Sequence, residues 1–64
     1  MDLATLKTKY LALAPVLTER SRRIWAATEA RALGHGGIGL LVQATGISRS
    51  TISRGIRELK SGET

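Results

Sequence analysis

The chain has no cysteine and no phenylalanine, a single proline, and only Trp25 and Tyr10 as aromatics. Without cysteine there is no disulfide framework and no thiolate metal site, two supports on which very small proteins commonly rely, and no mark of an oxidising compartment. Asp2 is the only aspartate, so an acidic metal triad cannot be assembled; His35, the only histidine, has no second ligand type at useful spacing. One tryptophan cannot build the row of stacking platforms that single-stranded nucleic acid needs, which leaves Trp25 to the core. Long apolar runs are missing too. From Ala32 to Ser48 there is no charged residue, but Gly34, Gly36, Gly37, Gly39 and Gly46 break a stretch already short of the about 20 residues that a bilayer span requires. The N-terminus lacks a basic region followed by an apolar core and a cleavage site, so a cytoplasmic location with no membrane partner is expected.

Sixty-four residues make one domain at most, expected over 1–60. A domain of roughly that size hides only about 60% of its unfolded surface, which leaves no room for a cleft-bearing enzyme. Neither catalysis, a cofactor, a metal nor a small-molecule ligand is expected. What the chain does have is positive charge, ten Lys and Arg against five Asp and Glu, for a net +5. The excess is uneven: +1 over residues 1–17, +2 over 18–33, none over 34–47 and +2 over 48–64. It favours an anionic partner, whether nucleic acid, an acidic protein or a membrane surface.

Apolar residues at Leu3, Leu6, Tyr10, Leu13 and Ala14 share one helical face, and Pro15 ends or bends that helix, which places it at about 3–14. Thr18 can cap a second helix with Glu19 near the positive end of its dipole; rich in alanine, it runs over 19–33 and stops at Gly34. Leu17, Ile24, Trp25, Thr28 and Ala32 make one side of it and Ala26, Ala30 and Leu33 another, the pattern of a helix packed on both sides. A short third helix at 37–45 carries Ile38, Leu40, Leu41, Val42 and Ala44 and is closed by Thr45-Gly46. Ser48 caps a fourth at 48–59, in which Ile52, Ile56 and Leu59 face one way, with Ile47 as a staple before the cap. No strand-period alternation and no repeat occurs. The fold class is therefore all-α, a small four-helix domain, with 61–64 as a frayed tail.

Two short helices joined by a tight turn at a glycine form a helix-turn-helix, whose second helix enters the DNA major groove. Gly46 can take the positive φ of the turn, Ile47 fills the gap between the helices, and Ile52 and Ile56 hold the second helix down. Arg49, Ser50, Ser53 and Arg54 are then expected on the projecting side. Arg is the side chain shaped to take guanine O6 and N7 together, so Arg49 and Arg54, with Ser50 as a shorter reader, are the candidate base contacts. Ser48, Thr51, Ser53, Arg57 and Lys60 are candidates for phosphate, and the start of the third helix at Gly37 and Ile38 offers backbone N–H groups to another. The plainer alternative is a solvated helix face with Arg54 paired to Glu58 at i, i+4.

Particular pieces of the chain add to this pattern. Arg22-Arg23-Ile24-Trp25-Ala26-Ala27 and Leu33-Gly34-His35-Gly36-Gly37-Ile38, followed by Ala44-Thr45-Gly46-Ile47-Ser48-Arg49-Ser50-Thr51-Ile52, resemble the N-terminal region of insertion-sequence DDE transposases of the Rhodopirellula type. The resemblance covers about residues 10–59. It implies a DNA-binding head that recognises an element's terminal repeats; the family's RNase H-like catalytic domain with its acidic triad lies outside these residues. Val42 stands four residues before Gly46, where helix-turn-helix proteins usually hold a small alanine, and Ser53 stands where the family is expected to have a second basic residue.

Gly34-His35-Gly36-Gly37-Ile38-Gly39 also satisfies G-x-G-x-x-G, but no strand precedes it, so it reads as a helix stop and turn. The first helix either completes the core or pairs with a second copy through residues 3–14, and with Lys7 and Lys9 as its only cations a membrane surface suits it poorly. Double-stranded DNA is the expected partner. The rival expectations are a small stand-alone transcription regulator, which shares the chemistry, and a helical dimerisation or protein-interaction module, which does not.

Overall fold

Asp2 opens the first helix, its carboxylate accepting the Thr5 N–H at 2.8 Å. That backbone bond, together with the side-chain bond to Thr5, holds the Asp2 carboxyl below the usual carboxylate range. In the computed structural model, which describes residues 2–62, this helix is α1, Leu3–Leu13. It ends one residue earlier than expected because Pro15 belongs to a separate 3₁₀ turn, Ala14–Val16. Thr18 caps α2, Glu19–Leu33, by accepting the Ser21 N–H at 3.1 Å, and Gly34, at φ 74°, closes it. Helix α3 is Gly37–Thr45 and α4 is Arg49–Ser61, with Ser48 as its cap, as expected. Ser61, expected in a frayed tail, is the last helical residue and Gly62 its cap; residues 63–64 lie outside the described residues. Four α-helices and no strand occur among the described residues.

The core is small. Leu6, Ala26, Leu41 and Ile52 are fully buried and Ala30 nearly so, with Trp25, Leu33, Ile38, Leu40, Val42, Ile47 and Ile56 packed against them. Helix α2 lies at the centre, against both α3 and α4, while α1 covers α3. Its buried seam is alanine: Ala26, Ala27 and Ala30 are 0%, 0% and 3% exposed. Two residues of the expected apolar side, Thr28 and Ala32, instead face solvent. Small side chains along the seam bring helix backbones close, and Gly55 of α4 lies against Ala27 and Arg23 for the same reason.

Long side chains tie α1 to this core. Lys9 Nζ reaches Glu29 Oε1 at 2.8 Å, and the Tyr10 ring meets Trp25 at 5.7 Å between centroids. Trp25 is thus a half-buried packing residue, as its isolation in the sequence implies. No helix among the described residues is long and apolar enough to cross a membrane.

Candidate nucleic-acid interface

The turn between α3 and α4 is fixed by Thr45 and Gly46. Gly46 takes φ 77°, a left-handed conformation that L side chains rarely adopt, and its N–H donates to the Val42 carbonyl at 2.9 Å. The Thr45 hydroxyl donates to the Leu41 carbonyl at 2.6 Å and accepts the Ile47 N–H at 3.0 Å. Ile47 then turns inward onto the core, and Ser48 accepts the Thr51 N–H at 3.2 Å to start α4. One turn later Ile52 is wholly buried, followed by the half-buried Ile56. With that edge anchored, the opposite edge of α4 has to face outward.

Ser50, Arg54, Arg57 and Ser61 are all exposed, and their i, i+4, i+7, i+11 spacing sets them in one stripe along α4. Arg54 keeps 65% of its side chain exposed although its Nε lies 3.6 Å from Glu58 Oε1. The surface pair offered as the plainer alternative therefore forms, yet it leaves the Arg54 guanidinium accessible.

Arg49 and Ser53, four residues apart, share a flank beside that stripe rather than its crest, which corrects the expected face. The Arg49 guanidinium folds back over α3, its Nη2 3.7 Å from where a Cβ on Gly39 would stand, and Ser53 is half-buried. Lys60 continues this flank by spacing and is exposed. Ser48 donates to the Thr51 hydroxyl at 2.8 Å and lies 3.3 Å from that of Ser50, so a compact hydroxyl cluster surrounds the first turn of α4.

The start of α3 offers less than expected. Gly37 is buried, its N–H donates to the Gly34 carbonyl at 3.0 Å, and a Cβ there would run into the Ala30 carbonyl oxygen, so Gly37 cannot hold a phosphate. Ile38 directs its side chain to the core, which leaves only its backbone N–H as a ligand group.

On the other flank, sequence reasoning missed a pair of contacts. Arg23 of α2 donates through Nε and Nη2 to Glu58 Oε2, both at 3.2 Å, which locks α2 to α4 across 35 residues of sequence. Nothing local signals such a pair. Gly55 had a signal, since a lone glycine inside an apolar helical pattern marks a close backbone approach. Arg20 and Arg23 of α2 lie at the edge of the α4 stripe, beside Arg54 and Arg57. His35 is exposed in the turn before α3, and no group of three His, Cys, Asp or Glu able to hold a metal forms among the described residues. No family model, curated protein or solved structure matches this chain.

Proposed function

We propose that this chain is a non-catalytic module that binds double-stranded DNA in a sequence-specific way by placing α4 in the major groove. The observation that carries the reading is the exposed Ser50, Arg54 and Arg57 stripe on the second helix of a helix-turn-helix whose other edge is buried through Ile52. Arg54 is the principal base reader, with Ser50 beside it at the approaching end of the helix. Arg49 reads from the α3 flank once its guanidinium swings out from Gly39. Ser48, Thr51, Ser53, Arg57, Lys60 and the Ile38 N–H supply phosphate contacts. The likeness of Arg22-Arg23-Ile24-Trp25-Ala26-Ala27 to transposase heads supports terminal-repeat recognition in the cytoplasm, while a stand-alone regulator would use the same surface.

Neutralising about five phosphates sets a slope of log K against log salt near −4 to −5, measured by fluorescence anisotropy on labelled duplex. A chain that binds no duplex even at about 20 mM salt, where counterion release favours binding most, is not a DNA-binding module. One observation favours a second reading. Leu11 of α1 and Val16 of the following 3₁₀ turn are 70% and 79% exposed, apolar surface that suits pairing with a second copy through residues 3–14 and the turn after them. In that case the chain sediments as a dimer and its +5 serves solubility alone.

A further inference from the structure

A shallow hollow runs along the α2 edge of the α4 stripe, lined by Arg20, Arg23, Arg54, Arg57, Glu58 and Ser61. Four guanidiniums face one carboxylate there, so three positive charges are in excess. They are not equivalent. Arg23 is only 12% exposed and committed to Glu58, and Arg54 shares the same carboxylate from 3.6 Å. Arg20 and Arg57 are exposed and have no carboxylate partner among the described residues. Each guanidinium presents a planar fork of donors that matches a phosphate.

We infer that this hollow is a phosphodiester site of the duplex, with Arg20 of α2 and Arg57 of α4 as its ligands. The inference rests on the proposed docking of α4 and extends the footprint beyond the helix-turn-helix. With the α4 stripe in the groove, the strand bordering that groove passes the edge where α2 approaches. Glu58 is shared by the inner guanidiniums of Arg23 and Arg54 and so spaces the cluster, leaving the outer two for the anion. A phosphate held from two helices also fixes how far α4 rotates in the groove, because α2 and α4 are locked together by Arg23 and Glu58.

The test compares salt slopes for duplex binding by the wild-type chain, Arg20→Ala, Arg20→Lys and Lys7→Ala. Lys7 is an exposed cation on α1, outside the hollow, and its loss changes net charge equally. The expected result is a slope shallower by about one unit for Arg20→Ala on every duplex sequence, restored in Arg20→Lys and unchanged in Lys7→Ala. A wild-type slope in Arg20→Ala, or an equal loss in Lys7→Ala, overturns the site while leaving recognition by α4 standing. If the wild-type chain binds no duplex at all, the parent reading fails first and this site fails with it. Arg20 is exposed, so a circular-dichroism melt matching wild type accompanies each variant.

Discussion

A side chain at Gly55 would meet the Ala27 Cβ and the Arg23 carbonyl oxygen, both at 2.9 Å, and one of these is backbone that cannot swing away. Overpacking of this kind costs about 1 to 3 kcal/mol, while alanine in place of glycine returns up to about 1 kcal/mol of helix propensity. Gly55→Ala should therefore lower the thermal midpoint by several degrees; an unchanged or raised midpoint means that α2 and α4 separate without cost. At the surface the residues divide by role. Arg54→Ala should flatten the preference among duplex sequences, whereas Lys60→Ala should weaken all of them alike. Competition titrations with a panel of duplexes distinguish these, and equal losses everywhere from both variants count against base reading. Ile52 and Ile56 were legible because helical spacing marks an inward edge. Arg49 was not, since spacing gives the flank of a side chain and not how an exposed guanidinium folds over its neighbour at Gly39.

The elements follow local chemistry closely, and α2 and α3 lie over the residues expected for them. Thr18, Ser48, Gly34 and Gly46 explain why: each cap or left-handed turn is decided within a few residues. The ends of α1 and α4 were harder to read. Pro15 sits at the front of a 3₁₀ turn, so Ala14, the final residue of the expected helix, belongs to that turn, and α4 runs on to Ser61 after its apolar periodicity has ceased at Leu59. Asp2, which caps α1, carries the same local signal as Thr18 and Ser48, a preferred cap residue directly before the first apolar position. That cap carries a pH dependence. The Asp2 carboxyl is lower in the folded chain than in the unfolded one, so its stabilisation is complete above the unfolded value and is lost as pH falls through the folded value. The Thr5 amide resonance should therefore titrate with a midpoint below the ordinary aspartate range, and Asp2→Asn should abolish that titration. A Thr5 amide insensitive to acid means that the cap does not form.

At the scale of the whole molecule, α2 joins the other parts. Its alanine seam admits α3 and α4 closely, Glu29 and Trp25 hold α1, and Arg20 and Arg23 reach the edge of the α4 stripe. Helical periodicity made the four-helix architecture and the helix-turn-helix legible. The joining of α2 to α4 was not, because Arg23 and Glu58 are 35 residues apart and the hollow around Arg20 exists only once they meet. A net three of the chain's positive charges consequently have a location as well as a sign, gathered where α2 meets the outer face of α4. Amide chemical-shift mapping on addition of excess duplex DNA addresses this placement most directly. Recognition through α4 predicts the largest changes from Ser48 to Arg57 and at Arg20, with Lys7 and Leu11 on α1 unmoved. Changes confined to residues 3–14, or none between Ser48 and Arg54, would show that α4 does not meet DNA.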